Sequence, residues 1–147
     1  EDVRLVIVGG DKGEDRMSNT RKMIEDNPDA IVYLGKIYDK GRLSDVMDSC
    51  ATFAMVSIYE TFGLVYVEAL SQNLPVVFTK GQGIDGMFDN TVGIGVNPLS
   101  VEEICLAIRE ILSNPGKYGN GNVNFDDFNW GNIAEKYIDI YSYCSHK

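Results

Sequence analysis

The stretch "TFAMVSIYETFGLVYVEALSQNLPVVFT" (residues 52–79) decides the fold, because two short apolar runs flank a longer segment of helical length. The runs at 52–57 and 75–79 predict strands, and the segment from about Phe62 to Gln72 predicts a helix between them. Two acids, Glu60 and Glu68, interrupt this otherwise apolar segment. An unpaired carboxylate is costly to bury, so both acids need a partner.

The same alternation of strand and helix extends along the chain. Because the strands are continuously apolar, they predict a parallel sheet covered on both faces, and we expect a doubly wound, Rossmann-like α/β fold. Ser100 and Glu103 form a capping box that predicts the start of a helix at residue 101. Within a single domain of residues 1–147, the other predicted strands are 4–10, 30–35 and 92–96, and the other predicted helices are one ending near Asp26, 42–50 and 129–144.

Composition narrows the classes of function. With 44% apolar and 24% charged residues, the chain resembles an ordinary globular protein, and no apolar run approaches the roughly 20 residues that span a bilayer. A formal charge of −9 argues against nucleic acid as a partner, because phosphate neutralisation needs clustered Lys and Arg. A small phosphorylated ligand remains compatible, since backbone amides can hold phosphate.

The cysteines indicate a reducing compartment. Cys50, Cys105 and Cys144 are widely spaced, and the single histidine is His146, so this set predicts no zinc site. We expect reduced, mostly buried thiols in a cytoplasmic protein.

Ligands of doubly wound sheets lie beyond the carboxyl ends of the strands. The predicted topology therefore places four turns around one crevice, and the free amides at the start of the helix near Gly63 predict a phosphate or diphosphate there. Gly63 would let a ligand approach the backbone closely. The four turns are Gly9–Gly10, Gly35–Tyr38, Tyr59–Gly63 and Lys80–Gly86.

Both glutamates have two readings. Glu60 could cap the helix and Glu68 could be a solvated helix residue, because acids are common near helix N-termini. Against this, apolar neighbours flank Glu68, and a carboxylate in such surroundings needs a partner. The vicinal hydroxyls of a ribose would supply that partner.

These segments resemble the retaining glycosyltransferases of family 4, which have the two-domain GT-B fold. The resemblance rests on the spacing from Glu60 to Glu68 around an aromatic-Gly-Leu sequence, followed by Pro75 and two valines. Further segments agree in order and cover nearly the whole chain: "LVIVGG", "IVYLGKI", "LSDVMDSCATFAMVS", "GIDGMF", "LSVEEICLAIREILSNP" and "FNWGNIAEKYIDIY". The resemblance implies the C-terminal, donor-binding domain of an enzyme that transfers a hexose from a nucleoside-diphosphate sugar with retention.

The resemblance also implies roles for individual residues. Glu60 would contact the hydroxyls of the donor sugar and shape charge at the reacting carbon, and Glu68 would take the ribose hydroxyls. No metal or other cofactor is expected. The implied donor-binding main-chain groups are those of Thr61, Phe62, Gly63 and Leu64 at the diphosphate, Gly35, Lys36 and Ile37 at the base, and Gly9 and Gly10 along the crevice.

One departure from the family pattern concerns the start of the chain. The family's donor domain begins with a further strand and a loop carrying Arg and Lys, so we expect a fragment that lacks its first βα unit and its N-terminal acceptor domain. Alone, it would be nearly inactive and would bind donor weakly. The last helix would dock toward the missing domain, which leaves an exposed surface for self-association. The resemblance further implies polysaccharide biosynthesis in the cytoplasm, or peripherally at the cytoplasmic face of a membrane.

Other readings stay open at this point. A non-catalytic module that binds a nucleotide or nucleotide-sugar would need Glu68 and the amides but not Glu60. An epimerase of the same architecture would not be expected to carry this arrangement of acids. The loop 81–86 contacts ligand or is only a turn, Lys80 is favoured as solvated, and the aromatic residues of 125–143 are favoured as packing.

Overall fold

The parallel α/β fold expected from the alternation of elements is confirmed. The computed structural model describes residues 3–10 and 18–145. Strands and helices alternate through most of this part of the chain, and a 3-10 helix precedes the last α-helix. In chain order the elements are β1 (Leu5–Val8), α1 (Ser18–Asp26), β2 (Ile31–Gly35), α2 (Lys40–Asp48), β3 (Phe53–Ala54), α3 (Leu64–Ser71), β4 (Val76–Thr79), β5 (Gly93–Val96), α4 (Val101–Ser113), the 3-10 helix (Phe125–Phe128) and α5 (Trp130–Ser145).

The chain divides into two compact units, Glu1–Val46 and Met47–Lys147. In the first unit, β1 and β2 pair in parallel with Leu5 opposite Ile31. In the second unit, three parallel strands lie in the order β3-β4-β5. Each pairing is parallel, as continuously apolar strands predict.

β3 is shorter than the predicted strand at 52–57. One further backbone bond, from the Met55 amide to the Val77 carbonyl oxygen (3.1 Å), follows its last residue. Beyond that point a side chain makes the link, because the Thr79 hydroxyl donates to the Ser57 carbonyl oxygen at 2.8 Å. The strands therefore separate at their carboxyl ends, where the two loops of the site begin.

The core of the second unit lies between β4, β5 and α4. Val77, Val96, Ala107 and Ile111 are buried together, and all four residues of β4 are buried. The Ser100 hydroxyl accepts from the Glu103 amide at 3.2 Å, which confirms the predicted cap of α4. The Glu103 carboxylate, however, accepts from the Asn97 amide at 2.9 Å, so the cap is only half of a capping box.

The aromatic residues near the C-terminus divide into two groups. Phe128 packs as predicted, with ring centroids 5.9 Å from Phe62 and 6.0 Å from Phe88. The prediction of packing is wrong for the aromatic residues of α5, because these residues are exposed. Their exposed fractions are Trp130 78%, Tyr137 54%, Tyr141 66% and Tyr143 67%.

The expectation of mostly buried thiols is also wrong. Cys105 and Cys144 are exposed, and Cys50 is half-buried. Cys105 and Cys144 lie on helices whose outward faces carry them into solvent. Among the described residues, no helix has both the length and the apolar character that crossing a membrane requires.

Candidate functional site

The second unit carries an open cavity of about 570 Å³ where β3 and β4 end. Two loops form it, one following β3 and one following β4. This is the edge at which parallel α/β sheets hold their ligands. The lining residues are Tyr59, Glu60, Thr61, Gly81, Gln82, Gly83 and Asp85.

The Glu60 carboxylate lies over two amides of the turn that precedes α3. Its Oε1 atom accepts from the Thr61 amide at 3.0 Å and from the Phe62 amide at 3.3 Å. The carboxylate thus occupies two of the amides that the sequence predicts for a diphosphate. A phosphate that used these two amides would require the Glu60 side chain to turn away from them, because both anions need the same donors.

Gly63 is required by the fold as well as by its predicted role. It has φ of +76° and precedes α3, which begins at Leu64, two residues later than predicted. A Cβ atom at Gly63 would lie 2.6 Å from two ring atoms of the buried Tyr66. In the first turn of α3, the Tyr66 amide donates to the Gly63 carbonyl oxygen at 2.9 Å. The Leu64 amide, at the start of the helix, has no acceptor within the helix and is available to an anion.

Glu68 lies on the less buried side of α3. Its carboxylate is on a half-buried residue, one turn after the exposed Leu64. The opposite side of the helix forms core, with Tyr66, Val67, Ala69 and Leu70 buried. Both readings of Glu68 stay open, and contact with a ribose stays a prediction.

The predicted binding residues of the first unit meet at the carboxyl ends of β1 and β2. The Gly9 amide donates to the Gly35 carbonyl oxygen at 2.8 Å, and the Tyr33 hydroxyl donates to the Gly9 carbonyl oxygen at 2.8 Å. Gly9, Gly10 and Gly35 all have positive φ angles. Lys36 is exposed and Ile37 is half-buried. Their assembly with Glu60 and Glu68 around one crevice stays a prediction.

The sequence places Tyr59, Gln82 and Asp85 within turns around the crevice but predicts no individual role for them. The Gln82 carboxamide accepts from the Glu60 amide at 2.8 Å and donates to the Ile58 carbonyl oxygen at 2.8 Å. Asp85 accepts from the Gly81 amide at 2.6 Å. The glycine-rich loop and its place at the sheet edge were the only signals in the sequence, because the partners of Gln82 are main-chain groups far away in sequence.

Two further expectations from the sequence concern Lys80 and metal ions. The Lys80 side chain is 67% exposed, as expected for a solvated lysine, and its Nζ atom lies 3.9 Å from Glu103 Oε2. Within residues 3–10 and 18–145, no three His, Cys, Asp or Glu side chains are placed to hold a metal ion. His146 lies outside the described residues.

Tyr66 gives this site a titration that can be measured. It is 1% exposed, and its hydroxyl donates to the Met55 carbonyl oxygen. Burial, and secondarily the charge of Glu60, raises the pKa of Tyr66 to about 12 from an ordinary value of 10.0. The neutral form is therefore favoured in the folded state, and its stabilising contribution is complete below pH 10 and is lost as pH rises through 12.

We predict that about 2–3 kcal/mol of unfolding free energy disappears between pH 10 and 12 through Tyr66. Urea unfolding across this range measures the loss. The Tyr66→Phe variant should be less stable at neutral pH and should show a shallower decline. The exposed Tyr38 provides the control, because Tyr38→Phe should keep the wild-type slope. Equal slopes in the wild type and Tyr66→Phe would contradict the assignment.

Comparisons with known proteins show which family the chain belongs to. The sequence matches the model of the family described as Glycosyl transferases group 1 over residues 1–124. It is 28% identical over 149 residues to D-inositol 3-phosphate glycosyltransferase of Gordonia bronchialis, covering 95% of this chain and 32% of that protein. It is 28% identical over 142 residues to a probable sucrose-phosphate synthase of Thermosipho melanesiensis, covering 92% of this chain and 33% of that protein.

A solved structure supports the fold. Sucrose-phosphate synthase of Thermosynechococcus elongatus matches with a TM-score of 0.76 at 23% identity, over 97% of this chain and 39% of that one. The chain spans about a third of the length of the curated relatives named above.

Proposed function

The chain belongs to the glycosyl transferases group 1 family, and we propose that it is the donor-binding part of a retaining, family 4 enzyme. In this proposal the enzyme transfers a hexose from a nucleoside-diphosphate sugar to a glycan or other acceptor in the cytoplasm. The observation that carries the proposal is the shared cavity, in which Glu60, the turn before α3 and the loop 81–85 meet at the strand ends.

The chemistry follows from where the charges lie. The bond between the anomeric carbon and the diphosphate oxygen breaks, and the departing phosphate gains negative charge. Amides of the first turn of α3 and the positive end of the helix dipole stabilise that charge. The anomeric carbon gains positive charge, which the Glu60 carboxylate stabilises once it leaves the amides of Thr61 and Phe62. The acceptor oxygen then bonds to the carbon on the face that the phosphate leaves, and its proton passes to an oxygen of the departing phosphate.

The proposal assigns the ribose to Glu68. Glu68 is half-buried on the face of α3 that is not core, and its carboxylate accepts hydrogen bonds from both ribose hydroxyls. The proposed roles of Gly9, Gly10 and Gly35–Ile37 rest on the family resemblance, and so does the absence of a metal requirement.

We predict that Glu68→Gln weakens the binding of the preferred member of UDP, GDP and ADP on the order of 10-fold, because it removes charge-assisted hydrogen bonds. Calorimetry on the protein that contains this chain measures the affinity. The 2′-deoxy form of the same nucleotide should bind more weakly to the wild type and equally weakly to Glu68→Gln.

The exposed Glu102 supplies a control for lost charge, since Glu102→Gln should change neither affinity nor discrimination. Undiminished discrimination against the 2′-deoxy nucleotide in Glu68→Gln would remove Glu68 from the proposed site. If none of the three nucleotides binds and no UDP-, GDP- or ADP-hexose supports transfer, the donor class is wrong.

A further inference from the structure

The carboxyl ends of β3 and β4 are joined by side chains rather than by backbone pairing. The Thr79 hydroxyl bonds to the Ser57 carbonyl oxygen, and one carboxamide, that of Gln82, makes the next two links. These links hold the segment that carries Glu60. The backbone bonds of the β3–β4 pair stop earlier, at Met55 and Val77.

Gln82 reproduces the hydrogen bonds of a residue in a parallel strand. In such a strand, one residue donates to the carbonyl oxygen before its opposite residue and accepts from the amide after it. The Gln82 Nε2 atom donates to the Ile58 carbonyl oxygen, and its Oε1 atom accepts from the Glu60 amide, each at 2.8 Å. The opposite residue is thus Tyr59, whose side chain is 90% exposed at the cavity.

We propose that Gln82 is a positioning residue for sugar transfer, because its carboxamide fixes the backbone of Ile58–Glu60 and thereby the Glu60 carboxylate at the cavity. This inference rests on the proposed function. Both bonds of the carboxamide go to main-chain groups, so Gln82 would act without contacting the donor in this role.

Gly83 shows how closely the second loop packs against Glu60. A Cβ atom at Gly83 would lie 3.1 Å from Glu60 Cγ and 3.1 Å from the Phe62 carbonyl oxygen. The bond between Asp85 and the Gly81 amide closes the same loop on itself. The loop therefore presents Gln82 to the backbone of the Glu60 segment at close range.

The opposite end of the same strand pair offers a matched control. There the Thr52 hydroxyl donates to the Pro75 carbonyl oxygen at 3.0 Å, which is again a side-chain bond between β3 and β4 segments. Thr52→Val removes this bond without touching the cavity. An effect of losing any side-chain bond between these two segments should also appear in Thr52→Val.

The first test is hydrogen exchange at the Glu60 amide of the 147-residue chain. Gln82→Met keeps the side-chain length and removes both bonds, so the Glu60 amide should exchange about tenfold faster. Thr52→Val should leave this rate unchanged. Unchanged exchange in Gln82→Met would overturn the proposal that Gln82 fixes this backbone, whether or not the protein transfers sugar.

The second test is steady-state transfer by the protein that contains this chain, with the hexose donor that supports turnover among the UDP, GDP and ADP forms. Gln82→Met should lower kcat on the order of 10- to 100-fold with little change in KM, because misplacing a catalytic group costs rate rather than binding. Thr52→Val should keep kcat. In a Glu60→Gln background, Gln82→Met should cause no further loss, since a positioning residue acts only through the group it positions.

The outcomes separate this inference from the proposed function. If Glu60→Gln lowers kcat and Gln82→Met does not, only the role of Gln82 fails. If Gln82→Met lowers kcat equally in both backgrounds, Gln82 acts independently of Glu60 and the inference is overturned. If Glu60→Gln leaves transfer unchanged, or no donor supports turnover, the proposed function fails. The exchange measurement still shows whether Gln82 fixes the backbone at Glu60.

Discussion

Glu60→Gln in the protein that contains this chain is expected to lower sugar transfer on the order of 10²- to 10³-fold while nucleoside diphosphate affinity stays equal or rises. The loss of rate follows because the variant removes the only carboxylate that the first loop contributes to the cavity. That carboxylate faces the reacting carbon in the proposal. A neutral amide of the same shape cannot offset the positive charge that develops there.

Nucleotide affinity should move differently from rate, for a reason visible in the structure. The Glu60 carboxylate accepts from the amides of Thr61 and Phe62, which are also proposed phosphate ligands. A diphosphate must displace it, and the Gln side chain is a weaker competitor because it carries no charge. The variant should therefore bind UDP, GDP or ADP at least as tightly as the wild type.

Paired measurements of turnover and of nucleotide affinity decide between the two readings of the site. Glu102→Gln, on the exposed first turn of α4, controls for the loss of one negative charge. Nucleotide affinity without any transfer in the wild type would favour a module that binds nucleotide without catalysis. A fall of transfer and affinity together in Glu60→Gln would mean that Glu60 supports binding. Unchanged transfer in Glu60→Gln would remove Glu60 from the chemistry.

Gly63→Ala is expected to destabilise the chain by about 2–5 kcal/mol, a large share of the stability of a typical domain. Two costs add. The backbone has φ of +76°, where a side chain costs about 1–2 kcal/mol. The new Cβ atom would also meet the Tyr66 ring at 2.6 Å, and a ring that is 1% exposed cannot move away freely. Urea unfolding measures the sum.

Gly86 separates the two costs. Its φ is +77°, nearly the same as that of Gly63, but a Cβ atom there would meet nothing within 4 Å. Gly86→Ala should therefore lose only the backbone part, about 1–2 kcal/mol. Equal losses at both positions would show that the Tyr66 contact has no cost. A double-mutant cycle with Tyr66→Leu should show favourable coupling to Gly63→Ala, since the smaller side chain frees the space.

The general fold could be predicted because its signals are local. The buried strand β4 appears in the sequence as a run of apolar residues ended by Lys80, and the Ser100 cap requires only neighbours in sequence. The length of β3 could not be predicted in this way. It depends on where the segments of β3 and β4 separate in space, which the apolar run at 52–57 does not encode.

The acids of the candidate site could be predicted, but the contacts that hold its loops in place could not. The spacing of Glu60 and Glu68 indicated a ligand, whereas the packing of Tyr66 against Gly63 gave that glycine a second reason to be there. The hydrogen bonds of Gln82 could not be predicted because its two partners are main-chain groups 22 and 24 residues away. Side-chain bonds to distant backbone leave no periodicity in a sequence.

The sequence supported two expectations for the last helix, packed aromatic residues and an exposed surface, and the aromatic face of α5 is exposed. Helical spacing of aromatic residues usually indicates packing against a core. Here the ring centroids of Tyr137 and Tyr141 lie 6.1 Å apart, and both residues remain more than half exposed. Periodicity shows that a helix has an apolar face but not that a partner covers it.

The central claim is that the turn before α3 holds the pyrophosphate of a nucleotide-sugar. It is tested most directly by titrating UDP, GDP and ADP at millimolar concentration into the isotope-labelled 147-residue chain while amide resonances are followed. The account predicts that one nucleotide gives its largest shifts at the amides of Thr61–Leu64, and that inorganic sulfate gives smaller ones there. Largest shifts elsewhere in the chain, or unshifted Thr61–Leu64 amides at saturation, would contradict it.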